Sequence, residues 1–336
     1  MYRVIKFFLF LFNPEFSHHL AMKSLKAANF LGLLSLISKK NKYNPRVVMG
    51  IKFKNPVGLA AGLDKNAEYI DCLSKLGFGF IEVGTVTPNA QPGNAKPRSF
   101  RLTKEEGIIN RFGFNNDGID KVIQNIRKAK FKGILGINIG KNFDTPMDKA
   151  VNDYLVCFRK SYLFASYITL NVSSPNTKNL RKLQQGESLD DLLKKIKVEQ
   201  KILYKKYDKY VPFVLKISPD NTTSQLSFIC ELLIKYDIDG VIATNTSLSR
   251  SEVSKSKLKN ESGGLSGQPL RLSSLRTLRF LKVKLDGKIP IIGVGGIMSG
   301  RDGKEKIDNG ADLIQIYSGL IFKGYKLINE LCRTIK

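Results

Sequence analysis

From residue 57 onward, short apolar runs recur along the chain: 57–62, 80–87, 133–140, 167–175, 211–219, 240–246, 289–297 and 313–319. Most have no polar alternation inside, and most end in glycine or polar residues. Continuous apolar runs of this length suit strands buried on both faces, as in parallel sheets. Between several of them lie helical stretches, for example 190–207 and 223–236. Eight such strands in βαβα order predict a closed (β/α)8 TIM barrel, with an open doubly wound sheet as the main alternative. The longer gap from 88 to 132 predicts an insertion after the second strand.

The N-terminus reads differently. Residues 4–12 are apolar apart from Lys6, far short of the about 20 residues that span a bilayer. No small-residue cleavage site follows, so the stretch is not read as a signal peptide. Asn13-Pro14-Glu15 is a helix start: Asn as N-cap, Pro at the first position, an acid in the first turn. A second helix is predicted from there through Phe30 to Ile37, ending in Lys39-Lys40. Apolar faces with basic flanks suit a membrane interface, and they equally suit a cap packed on the barrel. The chain is divided accordingly into a helical segment, 1–43, and a barrel, 44–336.

Composition adds limits. The 336 residues exceed the about 250 a barrel needs. The net charge of +26 comes from scattered lysines, most of them read as solvated faces; a smaller part is assigned to an anionic membrane surface. Cys72, Cys157, Cys230 and Cys332 form no C-x-x-C pair, which argues against zinc, against a disulfide framework and for a reducing compartment. No metal site is expected. His18 and His19 are the only histidines, so acid–base chemistry in the barrel must use other residue types.

Barrel active sites form at the C-terminal ends of strands. Here those ends carry Ala61-Gly62-Leu63-Asp64-Lys65, Thr85, Asn138, Asn171 to Thr177, Lys216, Thr244-Asn245-Thr246, Gly295-Gly296 and Tyr317-Ser318-Gly319. Gly295-Gly296 and Tyr317-Ser318-Gly319, after the last two strands, fit a phosphate cradle; alone, the Gly-Gly would be a tight turn. Met298 stands where a dinucleotide fingerprint needs its third glycine. Lys216 falls inside a buried strand, where an ammonium needs an anion, such as a reduced flavin ring; the alternative is a lysine reaching water at the rim. Asn110, Asn138, Asn171, Asn176 and Asn245 offer paired donors and acceptors suited to a pyrimidine-dione, although any single Asn is more often a turn residue.

Several motifs occur together and in order. They are Gly58-Leu-Ala-Ala-Gly-Leu-Asp-Lys65, Gly84-Thr-Val-Thr-Pro88, Gln91-Pro-Gly-Asn94, Lys96-Pro-Arg98, Asn110-Arg-Phe-Gly-Phe-Asn-Asn116 and Gly136-Ile-Asn-Ile-Gly-Lys-Asn142. Asn171-Val-Ser-Ser-Pro-Asn-Thr177, Gly240-Val-Ile-Ala-Thr-Asn-Thr246, Gly263-Gly-Leu-Ser-Gly267 and Pro290-Ile-Ile-Gly-Val-Gly-Gly296 continue the series. The chain thereby resembles the quinone-reducing class 2 of the dihydroorotate dehydrogenase family over essentially its whole length.

That resemblance implies oxidation of dihydroorotate to orotate in de novo pyrimidine (UMP) biosynthesis, with FMN as cofactor and a membrane quinone as acceptor. It implies Ser174 as catalytic base, where the soluble classes have cysteine. Ala61, Gly62, Leu63, Asp64, Lys65, Thr85, Asn138, Asn171, Lys216, Thr244, Gly267, Gly296, Tyr317 and Ser318 are the implied FMN contacts. Lys65, Asn110, Arg111, Phe112, Gly113, Phe114, Asn171, Asn176, Asn245 and Thr246 are the implied substrate contacts. Thr177 is a candidate proton relay, and the loop 178–188 is either a lid or an exposed connection. The implied location is peripheral, on the cytoplasmic face of the cell membrane, with no nucleic-acid partner. One rival is a flavin barrel that reduces uridine in tRNA, which needs a cysteine acid and an RNA-binding C-terminal domain. A second rival is a non-catalytic membrane-docked protein.

Overall fold

Eight parallel strands close on one another in the structure, a computed structural model that describes residues 2–34, 44–184 and 186–335. The first four are β3 (Val57–Leu59), β4 (Phe80–Val86), β7 (Ile134–Ile139) and β8 (Tyr167–Asn171). β9 (Phe213–Ile217), β10 (Gly240–Ala243), β12 (Ile291–Val294) and β13 (Leu313–Ile316) complete the ring, β13 pairing back onto β3. Each predicted run contains one of these strands, so the closed barrel replaces the doubly wound alternative.

Side chains alternate faces along a strand. Phe80, Tyr167, Val214, Ile242, Ile292 and Leu313 form an inner cluster. Their neighbours Ile81, Ile168, Leu215, Val241 and Ile314 belong to the larger outer core, packed under the helices. The barrel's lower mouth is closed by a hairpin, β1 (Arg46–Val48) and β2 (Ile51–Phe53), whose Phe53 is fully buried edge-on against Phe80.

Helices cover the outside for local reasons. α3 (Ile70–Ser74) is a single short turn. α4 (Ile119–Lys128) buries Ile119, Val122 and Ile123 at helical spacing. α5 (Ala150–Ser161) and α6 (Gly186–Tyr207) follow the third and fourth barrel strands. α7 (Thr223–Lys235) starts with a capping box between Thr222 and Gln225, a device worth about 1 kcal/mol. α8 (Arg271–Leu285), α9 (Gly300–Asp308), α10 (Ser318–Lys323) and α11 (Lys326–Thr334) complete the ring.

The 88–132 insertion contributes β5 (Ser99–Leu102) and β6 (Gly107–Asn110). These pair antiparallel with β11 (Gly264–Gly267), which comes from the loop after β10, and the three strands wall one side of the upper rim.

Against that wall lie α1 (Tyr2–Phe10) and α2 (Pro14–Phe30). Asn13 caps α2 as the sequence predicts, its Oδ1 accepting from the Glu15 N–H at 2.9 Å. The helix stops earlier than predicted: Gly32 takes φ 73°, and the chain turns over 31–33. The predicted tail, Ser35 to Lys40, lies outside the described residues. Among those described, no helix is long and apolar enough to cross a membrane.

Candidate active site

Strand parity decides what faces the barrel interior above the apolar floor. Glu82 is two residues from Phe80, Lys216 two from Val214, and Gln315 two from Leu313, so all three point inward. Glu82 is 0% exposed, and an unpaired carboxylate there would cost several kcal/mol. Three neutral donors offset that cost: Asn138 Nδ2 at 2.8 Å, Tyr167 Oη at 2.9 Å and Gln315 Nε2 at 2.7 Å. From Glu82 a directed chain climbs to the rim. Asn138 Oδ1 accepts from Thr85 Oγ1 (2.6 Å), whose oxygen accepts from Asn171 Nδ2 (2.9 Å). Asn171 Oδ1 in turn accepts from Asn245 Nδ2 at 3.1 Å. Every amide is thereby fixed in orientation, and such chains polarise cooperatively.

Above this chain opens a cavity of about 1030 Å³, open mouth included. Lys216 lines it, with no hydrogen-bond or ion-pair partner for its ammonium among the described residues. Burial lowers its pKa, with Glu82 the opposing charge. Lys65 lines the same cavity, its Nζ 4.3 Å from the centre of the Phe112 ring. Burial and then Arg98 push its pKa down to about 8, against Glu15 and Asp64. Ser174 faces the cavity with its Oγ accepting from the Asn176 N–H at 3.2 Å. Asn176 Nδ2 donates to Asn110 Oδ1 at 3.2 Å, so two predicted amides meet. At the far end, Gly296 takes φ 75°, and a Cβ there would lie 2.3 Å from Arg271 Cα. Only glycine lets this loop rest on the start of α8.

Residues 45–336 match the family described as Dihydroorotate dehydrogenase. The chain belongs to the dihydroorotate dehydrogenase family. A dihydroorotate dehydrogenase (quinone) of Methylobacillus flagellatus is 53% identical over 335 residues, covering 100% of this chain and 99% of that one. That of Actinobacillus pleuropneumoniae is 53% identical over 336 residues, covering 100% and 99%. Among solved structures, the DHODH of Eimeria tenella in complex with ferulenol superposes with a TM-score of 0.88 at 35% identity, covering 96% of this chain and 90% of that one.

In this dihydroorotate dehydrogenase family member, most residues singled out in the sequence line the one cavity. They are Ala61, Gly62, Lys65, Thr85, Asn110, Phe112, Gly113, Phe114, Asn171, Ser174, Asn176, Lys216, Thr244, Asn245, Thr246, Gly267, Gly296, Tyr317 and Ser318. Four do not. Asn138 lies one layer lower, holding Thr85. Leu63 is buried in the core beneath the rim. The Asp64 carboxylate turns away to accept from the Glu68 and Tyr69 N–H groups at 2.9 and 2.8 Å. Arg111 points outward and pairs with Glu261 at 2.7 Å.

Among the described residues of 178–188, Lys178, Asn179, Lys182 and Gly186 to Ser188 are exposed, and the stretch from Gly186 already belongs to α6. Leu180, Leu183 and Gln184 are buried, and Arg181 ties the loop down by donating to the Ser173 and Thr246 carbonyls and pairing with Asp220. Gln185 lies outside the described residues. The cysteines are buried on α3, α5, α7 and α11, away from the rim.

Sequence reading missed Glu82, Tyr167 and Gln315. The signal was present: a glutamate inside the apolar run Phe80-Ile81-Glu82-Val83 needs partners as much as Lys216 does. It also missed a second cavity of about 730 Å³ beside α2, lined by Glu15, His18 and His19 and sharing Lys65 and Phe112 with the first. Burial, with Lys65 adding, pushes the His18 pKa down to about 3, so this imidazole is neutral.

Proposed function

We propose that this protein oxidises dihydroorotate to orotate, with FMN seated in the main cavity and a membrane quinone as the final acceptor. The observation that carries the reading is that Ser174 and Lys216 line one cavity at the barrel rim. The residues fit FMN: at one end a buried ammonium has no acceptor among the described residues, and at the other a glycine loop leaves room for a phosphate. Lys216, Thr85, Asn171 and Thr244 would hold the ring system, and Gly267, Gly296 and Ser318 the phosphate end. When bound, FMN supplies the hydride acceptor.

The chain's own groups do the rest. Lys65 pairs with the substrate carboxylate, and Asn110, Asn176 and Asn245 present amides to the pyrimidine ring. Ser174 takes the proton from C5. A serine hydroxyl is a weak base, and no histidine lines the cavity, so stabilisation of developing negative charge by Lys65 and Lys216 is the larger electrostatic contribution. Thr177 Oγ1 is buried without a hydrogen-bond partner among the described residues, so it can relay the proton only through a water that joins it to Ser174 on one side and to solvent on the other.

Residues 1–43 form the membrane-facing segment in this reading. Val4, Phe7, Phe8, Leu11, Phe12 and Phe16 are exposed on α1 and α2 and the turn joining them, an apolar face suited to lipid on the cytoplasmic face of the cell membrane. In this reading a lipid-borne quinone reaches the rim past α2, where the second cavity shares Lys65 and Phe112 with the first. A visible spectrum tests the core claim: purified protein absorbs as a flavin, and adding dihydroorotate bleaches it. A flavin spectrum indifferent to dihydroorotate would refute the substrate.

A further inference from the structure

We propose that Lys306 is a positioning residue for the phosphate end of the flavin site, acting through Ser274 and Gly295 without touching the ligand. The proposal rests on the FMN reading and deepens it.

Lys306 lies in the last turn of α9 and is 1% exposed, whereas Arg301 and Lys304 on the same helix face solvent. It has no ion-pair partner among the described residues. Its Nζ makes one hydrogen bond there, to Ser274 Oγ on α8 at 2.5 Å. An ammonium only donates, so the serine oxygen must accept from it and give its own proton elsewhere. Two acceptors are in reach: Gly295 O at 3.0 Å and Arg271 O at 3.1 Å.

The first of these matters for the cavity. The Gly295–Gly296 peptide is trans, and in a trans peptide the C=O and the N–H point in opposite directions. Holding the Gly295 carbonyl back against Ser274 turns the Gly296 N–H the other way. That N–H has no acceptor among the described residues, and Gly296 lines the cavity. The ammonium thus fixes a donor aimed at an anion and adds a charge of the right sign behind it.

The groups facing Lys306 are Glu305 and Asp302 on its own helix and Arg271 and Arg279 on α8. Burial outweighs the two carboxylates and pushes the Lys306 pKa down to about 7. In the ligand-free protein the amine is therefore mostly neutral above that pH. A phosphate dianion nearby favours the ammonium, so binding there takes up a proton, and affinity for the phosphate falls as pH rises.

The test compares FMN with riboflavin, which lacks the phosphate, by quenching of flavin fluorescence on the full-length protein stripped of flavin. The wild type is expected to prefer FMN, and that preference is expected to shrink from about pH 7 to about pH 9, where the phosphate stays dianionic. Lys306→Met should lose about tenfold of the preference at neutral pH, with riboflavin binding unchanged and the pH slope gone. Ser274→Ala, which breaks the link to Gly295 and leaves the charge, should lose a smaller part of the preference and keep a pH slope, and the double variant should add nothing to Lys306→Met. Equal weakening of both flavins in Lys306→Met would make the residue merely structural and overturn the proposal, as would a preference identical to the wild type. A wild type that does not prefer FMN would overturn the phosphate cradle, and this inference with it.

Discussion

The barrel interior and the N-terminal helix pair solve opposite problems. Inside the barrel, Glu82, Asn138, Thr85, Asn171 and Asn245 satisfy one another in a single directed chain, so each amide at the rim has one orientation. The helix pair is fastened by a handful of polar links. Tyr2 Oη donates to the Leu320 and Ile321 carbonyls, Arg101 donates to the Phe10 carbonyl, and Glu15 pairs with Arg98 at 2.8 Å. Its other side leaves phenylalanines in the open. Reaction geometry needs the first arrangement, because small misplacements of a catalytic group cost rate steeply. Contact with a fluid surface needs only the second. The two regions should therefore be separable by experiment.

The largest effect is expected from removing residues 1–43. Turnover with a long-tailed quinone should fall to background, while dihydroorotate still bleaches the flavin in single-turnover mixing. Loss of bleaching as well would show that the barrel site depends on the helices. Ser174→Ala should do the reverse. Flavin reduction should slow by about 10²–10⁴-fold, the range for a lost acid–base group, with reoxidation by quinone intact. Bleaching as fast as in the parent would remove Ser174 from the mechanism.

A smaller effect is expected at the foot of the amide chain. In Glu82→Gln one carboxylate oxygen becomes an NH₂ facing groups that also donate. Leaving buried donors unmatched costs about 1–3 kcal/mol. For a chain of this size that lowers Tm by roughly 1–4 °C, and calorimetry of the flavin-loaded protein reads it directly. A variant as stable as the parent would mean that Glu82 does not organise the chain.

Which parts of this were legible in the sequence follows from what each residue's pattern reports. The eight strands were, because both faces of each strand are buried and the runs are unbroken. Lys216 stands out as a charge in such a run, and Glu82, third of the seven residues of β4, is an equal anomaly. Parity relative to Phe80 would have placed it inside. Arg111 shows the converse failure: it sits in a motif whose neighbours line the cavity, yet its direction was set by Glu261, 150 residues away. Lys306 left no trace at all, since a lysine on a charged helix reads as solvated until Ser274 and Gly295 are seen beside it. The end of α2 is not legible because Gly32 lies inside an apolar run, and only its φ of 73° shows that it stops the helix.

The smallest prediction concerns the seam where the two regions meet. Lys65 belongs to the barrel, yet Glu15 on α2 is one of the charges that sustain its ammonium. Its pKa of about 8 means that the protonated fraction falls as pH rises through that value. If Lys65 holds the substrate carboxylate, KM for dihydroorotate should climb above about pH 8, and kcat should fall with it because the same ammonium steadies the developing negative charge. Glu15→Gln removes a supporting charge and leaves the Arg98 guanidinium, which opposes the Lys65 ammonium, without its carboxylate. Both changes disfavour the charged lysine, so the rising limb of KM should move to lower pH. At a fixed pH near 8 the change should be about two- to fivefold, the range of a partly exposed ion pair, and added salt should shrink it. An unmoved limb would show that α2 is electrically silent toward the substrate, and the separation between the two regions would then be complete.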